Sequence, residues 1–111
     1  MQDRQISTRW HAMLAFSKGY RAKAPETVAD VLLGGCGRQK DLHEWQKAEG
    51  EAEYLIDRLT KPGQLIVDPY CGSGTIPAAA KKIGRRWLAT EIDRQHVLTA
   101  RRRVAETSHG E

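Results

Sequence analysis

Apolar and polar positions change period several times along the second half of the chain. Leu65, Ile66 and Val67 form a short continuous apolar run, the pattern of a buried parallel strand. Ile76, Ala79, Ala80 and Ile83 then recur at helical spacing and stop at Gly84, in the position of a C-terminal cap. Arg86, Trp87, Leu88, Ala89 and Thr90 read as the next strand, with Glu91 and Asp93 at its carboxyl end. A last helix is predicted from about residue 94 towards 106, with Val97, Leu98, Arg101 and Val104 spaced along it. Upstream, Ala52, Leu55, Ile56 and Leu59 predict a helix from about Glu49 that Lys61-Pro62-Gly63 ends. Strand, glycine loop, helix, strand, acid, helix is the βαβα order of a Rossmann-like sheet.

The first half is less regular. Met13, Leu14, Ala15 and Phe16 make a short apolar run that predicts a strand, with a turn at Ser17-Lys18-Gly19. Thr27 to Leu33 is a second β-leaning run, for which a helical turn stays an open reading. Residues 20–25 are basic and loop-like, and Gly34-Gly35-Cys36-Gly37 reads as a flexible connection. There is no internal repeat. About four strands can be placed, and so short a sheet leaves an open edge. Pairing with another chain, as a homo-oligomer or with a complementing subunit, is therefore expected.

Composition narrows the picture only a little. The 111 residues suit one small domain, and a net charge of +4 is compatible with a polyanionic partner without requiring one. No apolar run approaches the roughly 20 residues of a membrane span, and the N-terminus does not read as a signal peptide. A cytoplasmic protein with no membrane association is expected. Cys36 and Cys71 form no CxxC pair; they are expected as reduced thiols, and with His43 they lack the spacing of a zinc site. Lys81, Lys82, Arg85 and Arg86 fit the negative end of a helix dipole better than a phosphate contact. Arg101, Arg102 and Arg103 read as a solvated face, and Trp10, Trp45 and Trp87 as packing residues. No role is assigned to His11, His96 or His109.

The chemistry concentrates at Asp68-Pro69-Tyr70-Cys71-Gly72-Ser73-Gly74-Thr75. A glycine loop between strand and helix lets backbone approach a ligand and presents the unpaired N–H groups of the helix start. An acid about 20 residues further on, at the end of the next strand, can accept hydrogen bonds from both hydroxyls of a ribose; Glu91 occupies that place. The third glycine of a dinucleotide fingerprint is missing, as is the Lys-Ser/Thr of a P-loop. Asp68 and Glu91 flank the loop instead. Asp68 would repel a pyrophosphate, whereas the pair suits a ligand with a sulfonium, an ammonium and a ribose, which favours S-adenosylmethionine over NAD.

The segment from Leu42 to Arg103 resembles the N4-cytosine/N6-adenine DNA methyltransferase family. The resemblance rests on His43-Glu44-Trp45-Gln46-Lys47-Ala48, on Asp68 to Thr75, and on the continuation through Ala78-Ala79-Ala80 and Gly84-Arg85-Arg86 to Glu91-Ile92-Asp93. It implies an α/β, Rossmann-like S-adenosylmethionine-dependent methyltransferase fold, here an incomplete three-layer sandwich. Residues 42–111 would be the cofactor-binding region and 1–41 an N-terminal strand and loop region of the same domain. Asp68 with the Gly72 and Gly74 backbone would hold the methionine part of the cofactor. Pro69, Tyr70, Ser73 and Thr75 would complete that loop. Glu91 would bind the ribose hydroxyls, Ile92 would lie against the adenine, and Gln46 and Lys47 would close over the amino-acid end. Ala48 stands where the family usually has proline, which leaves the local backbone less constrained.

The family accepts its target amine with an Asp/Asn/Ser-Pro-Pro-aromatic motif that also stacks on the flipped base. The prolines here are Pro25, Pro62, Pro69 and Pro77, and no two are adjacent. In the permuted motif order that segment lies upstream of the cofactor motifs. The chain is thus expected to be a C-terminal portion, whether truncated, split or decayed, that reaches DNA only through a more complete enzyme or partner chain. The alternative is a non-catalytic remnant acting as a binding or assembly module.

Overall fold

The computed structural model describes residues 13–16, 18–19 and 44–110. The element order is α1 (Glu44–Leu59), β1 (Leu65–Asp68), α2 (Thr75–Lys82), β2 (Arg86–Ala89) and α3 (Arg94–Glu106). The two strands pair in parallel, with Leu65 opposite Arg86 and Asp68 opposite Ala89. Pairing continues past the strand ends: the Thr90 amide donates to the Asp68 carbonyl and the Cys71 amide to the Thr90 carbonyl. The glycine loop is thereby fastened to the neighbouring strand.

The core is small. Ala52 and Ile56 of α1 meet Ala79 and Ala80 of α2, with Ile66, Ile76 and Ile83 packed against them. Alanine at positions 78, 79 and 80, each fully buried, lets α2 approach both the sheet and α1 closely. The sheet is covered on that face alone among the described residues. Ile66 turns inward, whereas Val67 and its partner Leu88 are more than half exposed. The expectation of a fully buried β1 is therefore corrected: alternate residues of β1, and Arg86, Trp87 and Leu88 of β2, are exposed, because a two-stranded sheet needs further layers to bury them.

Element boundaries from 65 to 106 follow the hydrophobic periods closely, but two expectations fail. Residues 13–16 form no strand; Met13, Leu14 and Phe16 are exposed, and with no pairing partner among the described residues nothing fixes the run as one. Along α3 the buried stripe is Ala100 and Val104, not Leu98 and Arg101. The β-leaning run at 27–33 and the connection at 34–37 lie outside the described residues.

Candidate functional site

The site is built where both strands end. β1 delivers Asp68, whose Oδ1 accepts the Tyr70 amide at 3.1 Å. β2 delivers Glu91, half-exposed, whose Oε2 accepts the Gly72 amide at 2.8 Å and whose Oε1 accepts the Asp93 amide at 3.0 Å. Glu91 is thus a clasp between the glycine loop and the start of α3. These amides, Asp93 first and Gly72 next, hold its carboxyl below the usual carboxylate range. Two accepted bonds leave capacity on both oxygens, since an ionised carboxylate offers about four lone-pair sites.

Between these acids the chain turns into α2. Gly74 takes φ 88° at the helix N-cap, and no side chain caps the helix there. A Cβ at Gly74 would lie 2.9 Å from the Cα of Ala100, so α3 is seated directly on the loop. The open amides at the start of α2 suit an anionic group. Asp68 and Glu91 suit an ammonium and hydroxyls, and Ile92 projects fully exposed beside them. Carboxylate, ammonium, ribose and adenine are, with the sulfonium that joins them, the parts of S-adenosylmethionine, so the donor set fits that group.

Several residues enter in roles the sequence did not disclose. Asp93 caps α3, its Oδ1 accepting the amides of Gln95 at 2.8 Å and His96 at 3.1 Å. The His96 amide, then the Gln95 amide, hold its carboxyl below the usual range. An aspartate directly before a helical period is the signal that would have found it. The Thr90 hydroxyl donates to the Pro69 carbonyl at 2.7 Å. Cys71 is half-buried, and that burial, with Asp68 and Glu91 adding to it, pushes its thiol up. This agrees with a residue placed by size rather than for nucleophilic attack. Gln46 and Lys47 fall in the first turn of α1, but their side chains lie outside the described residues.

A cleft of about 510 Å³ opens beside Glu91, lined by Cys71, Trp87, Ala89, Thr90, Val97 and Ala100 among others. Trp87 is 41% exposed on its wall, so it packs on one side only.

The basic residues are placed by the structure at the opposite end of the sheet. Arg85, expected at a helix terminus, is buried and donates to the Ile83 carbonyl at 2.7 Å, the Thr60 carbonyl at 3.0 Å and the Thr60 hydroxyl at 3.1 Å. Lys81 donates to the Val104 carbonyl, Lys82 pairs with Glu53 at 2.7 Å, and Arg86 donates to the Gly63 carbonyl. Arg103 is no part of a solvated face. It reaches Thr75 and Glu49, and its i, i+3 spacing from Ala100 is the sequence signal for its inward side.

This architecture and loop define an α/β protein of the Rossmann-like methyltransferase type. Residues 2–102 match the N6/N4 family model described as DNA methylase, and the chain belongs to the N4/N6 DNA methyltransferase family. It is 32% identical over 81 residues to Type II methyltransferase M2.DpnII of Streptococcus pneumoniae, covering 69% of this chain and 30% of that protein. It is 25% identical over 99 residues to Type II methyltransferase M2.LlaDCHI of Lactococcus lactis subsp. cremoris, covering 86% and 35%. The crystal structure of M1.HpyAVI superposes with a TM-score of 0.52 at 30% identity, over 53% of this chain and 33% of that one. The chain spans about a third of the length of the curated relatives it matches. No helix among the described residues is long and apolar enough to cross a membrane.

Proposed function

We propose that this chain is the S-adenosylmethionine-binding portion of a site-specific DNA methyltransferase that modifies the exocyclic amino group of adenine or cytosine. Family membership implies S-adenosylmethionine as methyl donor and DNA as acceptor. The observation that carries the reading to this chain is the juxtaposition of Asp68, the uncapped start of α2 and Glu91 around one glycine loop. Asp68 takes the ammonium of the donor, the open amides of Thr75 and Ile76 take its carboxylate end, and Gly72 and Gly74 let the loop backbone come close to it. Pro69, Tyr70, Ser73 and Thr75 shape that loop. Glu91 takes the ribose hydroxyls, Ile92 lies against the adenine, and Gln46 and Lys47 close over the amino-acid end. When bound, the donor supplies an electrophilic methyl group; the residues here hold and orient it.

Residues 42–111 form the cofactor-binding region, with 1–41 as an N-terminal part of the same domain. No adjacent prolines occur in the chain, so target-base chemistry falls to a more complete enzyme or a complementing chain in a cytoplasmic restriction-modification setting. Calorimetric titration with S-adenosylmethionine tests the donor site: saturable heat is expected, strongly reduced in Asp68→Ala. No heat from the unaltered chain overturns the reading. A radiolabelled transfer assay on DNA is expected to show no steady incorporation by the chain alone; steady incorporation contradicts the division of labour.

A further inference from the structure

Arg103 joins three helices at the rim of the glycine loop. One guanidinium nitrogen donates to the Thr75 hydroxyl at 3.0 Å, and another pairs with Glu49 Oε2 at 2.6 Å. Both partners of the ion pair are largely shielded, with 12% and 21% of their side chains exposed. Thr75 is the first residue of α2, directly after Gly74. Glu49 lies on α1 two residues beyond Lys47 and three beyond Gln46. A planar guanidinium can serve two acceptors in fixed directions at once, which an ammonium on a flexible stem does poorly. Charge-assisted bonds of this kind, partly desolvated, are among the stronger side-chain contacts.

We infer that Arg103 is a positioning residue that sets the distance between the two segments assigned to the methionine end of the donor, the α2 start and the first turns of α1. The inference rests on the donor-site reading and deepens it. Glu49 fixes where α1 stands, and Thr75 fixes where the loop enters α2. By accepting a bond from Arg103, the Thr75 hydroxyl also has its remaining proton directed away from the guanidinium. The adenosine end is assigned to Glu91 and Ile92, which follow β2 rather than α1 or the start of α2, and needs no such spacer.

The test compares two probes, S-adenosylmethionine and 5′-methylthioadenosine, which lacks the amino-acid end. Loss of a charge-assisted pair predicts about tenfold weaker S-adenosylmethionine binding by Arg103→Met, against less than about twofold for methylthioadenosine. Arg103→Lys, which can keep Glu49 but not both partners, is expected between the two, and Glu49→Gln is expected to follow Arg103→Met. Far-UV circular dichroism and thermal melting of each variant identify a folding defect. Equal weakening of both probes shows a merely structural residue and overturns the inference, as does unchanged binding of both. Should Arg103→Met fail to fold, the Arg103→Lys and Glu49→Gln pair carries the same comparison. If the unaltered chain binds neither probe, the donor-site reading itself fails; if it binds both and only the variants behave alike, that reading stands and Arg103's role does not.

Discussion

The two ends of the small parallel sheet handle the same backbone groups in opposite ways. At the carboxyl end, Asp68, Glu91 and Asp93 accept amides from Tyr70, Gly72, Asp93, Gln95 and His96. At the amino end, Lys81, Arg85 and Arg86 donate to the carbonyls of Val104, Ile83, Thr60 and Gly63. The basic end is closed: Arg85 is 7% exposed, and Arg86 holds a turn shut. The acidic end is open, with Tyr70 and Ile92 projecting into solvent. A basic cluster that invites a reading as a phosphate contact is therefore occupied in holding the fold. The acids, which look less eligible in a DNA-related protein, stand where a cationic ligand fits.

Substitutions can separate the two ends. The largest expected effect is Gly74→Ala, where the left-handed φ and the close approach of Ala100 act together. A loss of roughly 3–4 kcal/mol is expected in urea unfolding. Gly72→Ala supplies the contrast, because φ is 52° but no atom lies within 4 Å of the added Cβ. There about 1.5 kcal/mol is expected from conformation alone. Equal costs would mean that Ala100 does not seat the loop.

Arg85→Met probes the closed end. It leaves the part-buried Thr60 and Ile83 carbonyls without that donor, with an expected loss of about 2 kcal/mol. Measured where the variant is still folded, S-adenosylmethionine affinity should be unchanged, because these groups lie at the far end of both strands. A fall in affinity without a fall in stability would break the division between the ends.

The smallest effect is in acid. Glu91 and Asp93 are both held below their ordinary values of 4.5 and 3.8, so the folded state binds protons less readily than the unfolded one. Their contribution is full above those ordinary values and is lost as pH falls through the lowered folded ones. Unfolding stability should therefore decline on acidification below about pH 4.5. Glu91→Gln should flatten that decline, and an unflattened profile would place the acid-sensitive groups elsewhere.

The β-α-β-α order and its boundaries were legible because strand and helix periods alternate cleanly from Leu65 to Val104. The loop and Glu91 were legible for a different reason: close backbone approach and ribose binding each demand particular residue types at a fixed spacing. What stayed hidden depends on long-range packing. Arg103 sits in a run of three arginines; its spacing from Ala100 marks the inward face of the helix, but its partners Thr75 and Glu49 on other helices could not be read from the run. Arg85 looked like a dipole partner because burial by α1 cannot be read from its neighbours in sequence. Residues 13–16 misled in the reverse direction, since an apolar run forms a strand only against a partner, and none lies among the described residues.

The acidic end of the sheet is expected to hold the methyl donor, and the basic end is not. Amide chemical-shift mapping of the isotopically labelled chain during titration with S-adenosylmethionine tests it directly. Saturable shifts are predicted for Gly72, Gly74, Thr75, Glu91 and Ile92, with Gly63, Gly84 and Arg86 unmoved. Shifts centred on Gly63, Gly84 and Arg86, or none at all, would contradict the account.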